Sequence, residues 1–125
     1  GSIPGVHHVV AAGGQLWAAQ RASRVARIDA ATGQVAASAA VATAASHMAL
    51  SADARTLFVA DAGGYRMLAL RADDLTVEHV WPAPGMPQLP VATPDGVVCV
   101  TGGASGTLTI ARPLGGRYAE QTINV

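Results

Sequence analysis

Short apolar runs, separated by glycine-containing or polar turns, follow one another along the whole chain. In the first third these runs cover residues 6–12, 16–19, 25–28 and 35–41. Turns fall between them at Gly13-Gly14 and Thr32-Gly33, where the backbone freedom of glycine favours a reversal of chain direction. Short runs with this punctuation predict β-strands.

The same order of runs returns twice more, with a period of about 41 residues. The later runs cover residues 47–50, 57–60, 67–70, 77–81, 89–92, 97–100, 108–111 and 118–125. A period of this length, with four strands in each copy, is typical of β-propeller blades. We therefore predict an all-β fold of three four-stranded antiparallel blades, which form a partial or oligomer-completed propeller. The single repeat domain covers 1–125, with blades at approximately 5–44, 45–85 and 86–125.

Most of the runs are continuously apolar rather than alternating, as in Leu57-Phe58-Val59-Ala60. A strand that is covered on both faces shows this pattern, and an inner propeller strand lies between two neighbouring blades. A helical alternative is open for part of 30–50, because this stretch is rich in alanine, the best helix former. Gly33, Val35 and Thr43 favour strands there, as does the register with the other two copies.

The second copy resembles a known propeller repeat. Residues 47–64 contain a histidine, an apolar run, a polar turn around Asp53, and a second apolar run that includes Phe58 and ends in Ala60-Asp61. This order is similar to the YVTN-type repeat, and residues 16–33 are similar to repeats of NHL-like and virginiamycin B lyase-like propellers.

This resemblance implies a propeller fold and leans towards an exported or periplasmic protein. It implies no single activity, because propellers of this kind include lyases, lactonases, quinoprotein-type dehydrogenase subunits and pure binding platforms. No intact catalytic set of these enzymes can be matched onto the three copies, and the third copy has Gln88 where the repeat often has histidine.

Charge and cysteine content narrow the classes of function. Eight Lys and Arg residues balance eight Asp and Glu residues, so general attraction to nucleic acid or to anionic lipid has no electrostatic source. The alanine-rich stretch 30–52 lacks the large apolar residues of a membrane-spanning helix. We therefore expect neither a nucleic acid nor a membrane as a partner. Cys99 is the only cysteine and lies in an apolar run, where we expect a buried, unreactive thiol.

The most promising site lies where the inner strands of the blades begin. We expect these strand starts to share one face of the disc, close to the axis, with the loops that join the second and third strands; we call it the axial face. His7, His47 and Gln88 open the inner strands of the three copies. The surrounding loops would supply Arg21, Arg24, Asp61, Tyr65, Arg66, Thr101 and Ser105.

Two roles are open for His7 and His47. Imidazoles at equivalent positions of successive blades could share a divalent metal ion, or bind an anion when they are protonated. Alternatively, each histidine hydrogen-bonds the backbone of a neighbouring strand. Tyr65 follows Gly63-Gly64 in a loop of the same face and could cover a small ligand there.

The number of blades carries a functional implication. Propellers close their rings with about four to eight blades, so three would leave apolar blade faces exposed at both ends. A two-fold homodimer would complete a ring of six blades. The alternative is that the chain is one part of a split or longer propeller. We expect a non-enzymatic binding or scaffold module that offers its axial face to a small ligand, a metal ion or a protein. The alternative is part of a lyase or hydrolase in which an inner-ring histidine is the general base or a metal ligand.

Overall fold

The computed structural model describes residues 6–20, 23–103 and 106–124, apart from the side chain of His7. The described residues form three antiparallel sheets, each with four strands in chain order. The first sheet contains β1 (Val6–Ala12), β2 (Gln15–Gln20), β3 (Arg24–Asp29) and β4 (Val35–Ala40). The second contains β5 (Ala45–Leu50), β6 (Thr56–Asp61), β7 (Arg66–Arg71) and β8 (Val77–Pro82). The third contains β9 (Pro87–Ala92), β10 (Val98–Gly102), β11 (Thr107–Leu114) and β12 (Arg117–Asn124).

These strands confirm the sheet pattern predicted from the apolar runs. The helical alternative for 30–50 is wrong, because β4 and β5 occupy most of that stretch. Strand formation wins there because the alanines of β4 pack against the second sheet, and this tertiary contact overrides their helix propensity. The described residues include no helix long and apolar enough to cross a membrane.

The three sheets are arranged as successive propeller blades. β5 contacts both β1 and β9, so the first strand of each blade lies nearest a common centre. The fourth strand of each blade is the outermost. Because successive strands run antiparallel, the starts of the inner strands and the β2–β3, β6–β7 and β10–β11 loops share one end of the blades, which is the axial face.

Two separate apolar cores hold the blades together. Leu57 and Val59 of β6 face the first blade, whereas Phe58 and Ala60 of the same strand face the third. The second blade is therefore buried on both faces, which is the reason for its continuous apolar run. Burying each large side chain of this kind contributes about 1.5–3 kcal/mol.

Trp17 and Phe58 occupy the same place in successive blades, and each faces the next blade. Trp17 also donates its indole N–H to the backbone carbonyl of Ala72 across the first interface, at 2.7 Å. Phe58 lies edge-on to Trp81 and Tyr118, whose rings stack on each other with their centroids 4.7 Å apart. Aromatic packing and one cross-blade hydrogen bond thus fix how the three blades sit together.

One face of each end blade has no blade packed against it in the described chain. Along each strand of the first blade, side chains that pack on the second blade alternate with side chains on the open face. The open face carries Val9, Leu16, Ile28 and Val35. On the third blade the open face carries Val91, Cys99, Leu108, Ile110 and Ile123. Val9 is 47% exposed and Val91 is 60% exposed, so both faces present apolar surface to solvent.

Candidate functional site

All three inner strands carry the same one-residue bulge at the axial face. The pairing register shifts within residues 6–8 of β1, 45–48 of β5 and 87–90 of β9. At such a bulge two residues oppose one on the partner strand, so the side chains there are re-aimed. The residues that the sequence singled out on the inner strands all lie on or beside these bulges.

The bulges bring His8 together with His47. The two rings meet edge to face, with their centroids 4.7 Å apart. His8 Nε2 lies 3.3 Å from the carbonyl oxygen of Met48, where it can donate a hydrogen bond to the neighbouring blade. The backbone-satisfying role considered for the inner histidines is therefore present at His8.

The strand register also corrects the alignment of the histidines. Ala11 pairs with Leu16 in the first blade, and Leu50 pairs with Leu57 in the second, so the β5–β6 connection is two residues longer. His47 lies three residues before Leu50, and His8 lies three residues before Ala11. His47 is therefore equivalent to His8, and not to His7 as the sequence predicted. The side chain of His7 lies outside the described set.

Gln88 corresponds to Ser46 rather than to His47, because β9 and β5 share the same bulge. The Ser46 hydroxyl lies 3.1 Å from the carbonyl oxygens of both Ala60 and Pro87, so it links the second blade to the bulge of the third. The exposed amide of Gln88 lies over Gly103, where an added Cβ would come within 2.7 Å of Gln88 Cδ. Gln88 is thus on the axial face, where the sequence placed it.

Asp61 is a fully buried carboxylate in the wall of this face, with 0% exposure. Its Oδ1 accepts hydrogen bonds from the backbone N–H groups of Ala44 at 2.8 Å and Gly64 at 3.1 Å. Its Oδ2 accepts from the Thr43 N–H at 3.0 Å and from Arg66 Nε at 2.8 Å. Four donors occupy this carboxylate. Thr43 and Ala44 lie in the link between the first two blades, and Gly64 lies in the β6–β7 loop, so Asp61 joins that link to that loop.

The electrostatics of Asp61 follow from these contacts. Burial raises the pKa of its carboxyl group, but hydrogen bonds from Ala44, Thr43, Arg66 and Gly64 favour the charged form and together outweigh it. The pKa of Asp61 is therefore lowered. A charged, fully hydrogen-bonded carboxylate is a structural element, because it has no proton to give and little capacity to accept one near neutrality.

Tyr65 and Met86 form the exposed part of the axial face between the second and third blades. Tyr65 is 54% exposed and Met86 is 39% exposed. Both have left-handed backbones, with φ of 53° and 61°, a conformation that costs a non-glycine residue about 1–2 kcal/mol. The Tyr65 carbonyl accepts a hydrogen bond from the Ala83 N–H at 2.9 Å. Strained, exposed and apolar residues of this kind are typical of contact sites.

Met86 is a site residue that the sequence did not single out. It lies in the link between blades, where an isolated methionine carries no motif, and only the structure places it beside Tyr65 and Gln88 on the axial face. The Gly103 N–H donates to the Met86 carbonyl oxygen at 3.1 Å, which fixes the link against the β10–β11 loop. In the sequence, the only feature that points to Met86 is its position after Gly85, in a link that precedes an inner strand.

The remaining predicted residues are only partly brought together. Arg24 turns along its own blade, where its Nη2 donates to the Ser38 hydroxyl at 3.0 Å, so it lies apart from Tyr65. Thr101 is exposed on β10, and Arg21 and Ser105 lie outside the described residues. No group of three or more His, Cys, Asp or Glu side chains within the described set is placed to hold a metal ion.

The exposed side chains of the axial face are few and chemically varied. It offers an exposed phenol, a thioether and an amide, with the His8–His47 pair nearer the axis. Asp61 and Arg66 stabilise this surface from below, since both are engaged with each other.

Comparison with known proteins supports the fold. No family model matches this sequence, and no curated protein sequence matches it significantly. Among solved structures, the chain is similar to the Kuenenia stuttgartiensis hydrazine synthase, with a TM-score of 0.88, 18% identity, and coverage of 100% of this chain and 37% of that chain. The structure of a streptogramin B lyase matches with a TM-score of 0.83 and 15% identity, over 99% of this chain and 42% of that one.

A third match is the β-propeller domain of Myceliophteria thermophila Cps50 (Swd1), with a TM-score of 0.77, 17% identity, and coverage of 94% of this chain and 40% of that chain. The chain thus spans about two-fifths of the length of these proteins. Identities this low show a shared fold and nothing finer. The chain therefore has the fold of three consecutive β-propeller blades.

Proposed function

We propose that this protein is a non-enzymatic β-propeller binding or scaffold module, of the YVTN or NHL-like repeat type. Two copies complete a six-bladed ring, and the ring presents its axial face to a small ligand, a metal ion or a protein. The remainder of a split propeller is the competing partner for the open blade faces.

The observation that carries the proposal is the match between the two open faces. Val9, Ala18 and Ala26 of the first blade correspond to Met48, Val59 and Leu68, which are buried against the preceding blade. The open face of the third blade corresponds in the same way to faces that pack on a following blade. The open face of the third blade in one copy is therefore complementary to the open face of the first blade in another copy.

Symmetry favours a second copy as the occupant. In a two-fold ring each chain's third blade packs on the other's first blade, so both pairs of open faces are covered by one operation. Exposed apolar patches on soluble proteins mark such interfaces. The small side chains Ala18 and Ala26 would let a neighbouring blade approach closely, as Ala37 and Ala39 do inside the chain.

The axial face supports binding better than catalysis. Asp61 has its carboxylate occupied by four hydrogen bonds, so it is not free to assist an inner-ring histidine in catalysis. Tyr65, Met86 and Gln88 are exposed and offer apolar and amide contacts suited to a peptide or a small polar ligand.

Ring closure can be tested with the only cysteine as a reporter. Cys99 is partly exposed on the open face of the third blade, rather than buried as its apolar run predicted, so a second copy would shield it. We expect slow labelling by a thiol reagent in the wild-type protein, and labelling at least about tenfold faster in Val9→Arg, which places a charge on the opposite open face. Val80→Arg is the matched control, since Val80 is 51% exposed on an outer strand.

The labelling comparison distinguishes the outcomes. Val9 and Cys99 lie on the first and third blades of one chain, so an effect of one on the other requires contact between copies. Equal labelling rates in wild type, Val9→Arg and Val80→Arg would contradict the dimeric ring. Unchanged circular dichroism of all three proteins would show that the blades remain folded.

A divalent metal ion at His7 and His47 is a narrower form of the binding proposal. Its test is metal analysis of the purified protein and of the His7→Ala/His47→Ala double variant. Stoichiometric metal in the wild type that is lost in the variant would support it. Metal-free protein after dialysis against buffered zinc would reject it and leave the small-ligand and protein alternatives.

A further inference from the structure

A cleft of about 500 Å³ lies between the first two blades at the end opposite the axial face. It is formed by the β1–β2 turn, the β5–β6 turn and the end of β7. Trp17, which is 4% exposed, lines it together with the apolar side chains of Ala12, Ala54 and Ala72. A cleft of this volume, with an apolar floor and a few charged groups, is typical of a small-molecule site.

The charged lining of the cleft is predominantly positive. Arg27, Arg55 and Arg71 line it together with the two acidic residues Asp73 and Glu78. Three guanidinium groups therefore face two carboxylates in a chain whose overall formal charge is zero. Guanidinium groups do not lose their charge at any physiological pH, so the three positive charges in the lining are permanent.

Arg27 is the fixed member of the three arginines. Its Nε donates to the backbone carbonyl of Asp73 at 2.8 Å, and its Nη1 donates to Gln15 Oε1 at 2.7 Å. Its Nη2 lies 3.7 Å from the carboxylate of Asp73. The contacts with Asp73 span the interface between the two blades and the contact with Gln15 lies within the first blade, so the guanidinium group of Arg27 is already engaged.

Arg55 and Arg71 are the members free to turn towards a ligand. Arg71 makes only a long contact of 3.7 Å, from its Nε to Asp74 on the exposed surface. Arg55 lies near Asp53 and interacts with it electrostatically, but among the described side chains it has no carboxylate within salt-bridge distance. Both residues lie on the second blade, on the side of the cleft across from Arg27.

We propose that this cleft binds a small organic carboxylate with a flat apolar body. Arg55 and Arg71 hold the carboxylate through charge-assisted hydrogen bonds, and the apolar body lies against Trp17 and the alanine walls. The cleft lies within one chain and away from the open blade faces. This site is therefore independent of ring closure and of the axial face.

The test uses benzoate as the probe and the two indole N–H signals in proton–nitrogen NMR spectra as the readout. We expect the Trp17 signal to shift and saturate as benzoate is added. The signal of Trp81, which lies in the other blade interface, serves as an internal control. Benzamide has the same ring without the charge and should bind at least about tenfold more weakly.

Variants test the residues directly. Arg55→Ala/Arg71→Ala should weaken benzoate binding at least about tenfold, while Arg112→Ala, an exposed arginine on the third blade, should bind as the wild type does. Saturable binding of benzamide as tight as that of benzoate would overturn the proposal. So would unchanged benzoate affinity in the double variant, or a Trp17 signal that does not respond.

Discussion

Arg66 Nε donates a 2.8 Å hydrogen bond to Asp61 Oδ2, and this ion pair closes a network that joins two blades. Asp61 is fully buried, whereas the side chain of Arg66 is 37% exposed. Gly64 lies directly against the pair: an added Cβ would come within 2.5 Å of Asp61 Oδ2. The conformation of the β6–β7 loop, and hence the position of Tyr65, therefore depends on this carboxylate.

Replacing Asp61 should destabilise the whole chain. In Asp61→Asn one carboxylate oxygen becomes an NH2 group, which donates and cannot accept, so either the Thr43 N–H and Arg66 or the N–H groups of Ala44 and Gly64 lose their acceptor. We expect a loss of about 2–3 kcal/mol in the free energy of unfolding, measured by urea denaturation. Asp73→Asn is the control, because its carboxylate is 84% exposed, and it should change stability by less than about 0.5 kcal/mol. An equal effect of both substitutions would contradict the structural role of Asp61.

The contribution of Asp61 should also depend on pH. Its pKa in the folded state is lowered below the unfolded value of about 3.9. The charged carboxylate therefore contributes its full stabilisation above pH 4, and this is lost as the pH falls through the folded pKa. The stability difference between wild type and Asp61→Asn should be constant from pH 5 to 7 and shrink below about pH 4. A difference that stays constant down to pH 2 would contradict this assignment.

Tyr65 should carry a measurable backbone strain. Its φ of 53° is unfavourable for any residue with a Cβ and costs glycine almost nothing. Tyr65→Gly should therefore be more stable than Tyr65→Ala by about 1 kcal/mol, although both lose the same exposed ring. The difference between the free energies of unfolding of the two variants, measured by urea denaturation, gives the cost of the backbone strain. Equal stability, or a more stable alanine variant, would show that the loop relaxes away from this conformation.

The strands could be predicted from the sequence because short apolar runs and glycine turns encode them locally. The continuous run around Leu57 correctly indicated a strand buried on both faces, whereas β10 is buried only on the face that carries Val98 and Val100. The competing helix over 30–50 failed because the contacts of Ala37 and Ala39 with the second blade outweigh intrinsic propensity.

The site could be predicted less completely, for identifiable physical reasons. A bulge changes the alignment of side chains without changing the apolar pattern, so the sequence placed His47 at the position equivalent to His7, whereas the strand register makes it equivalent to His8, whose ring it meets. Met86 and the Arg27–Arg55–Arg71 cleft depend on turns that are far apart in the chain. Only tertiary packing places such residues side by side.

A charge on an open blade face should dissociate the proposed dimer without unfolding its blades. Val91 is 60% exposed, so Val91→Arg costs little in a single chain, but it would bury an unpaired guanidinium in the closed ring. We expect a monomer with the wild-type circular dichroism spectrum, measured by size exclusion with light scattering. Val80→Arg should keep the mass of the wild type. Dissociation by both variants would indicate a general effect of added charge.

The mass of the wild-type protein in solution tests the central claim most directly. Each chain has a mass of 12.6 kDa, and a six-bladed ring requires two of them. Light scattering should therefore give a single species of twice the chain mass, unchanged on dilution across the micromolar range. A monodisperse, soluble species with the mass of one chain would contradict the claim that two copies close the ring.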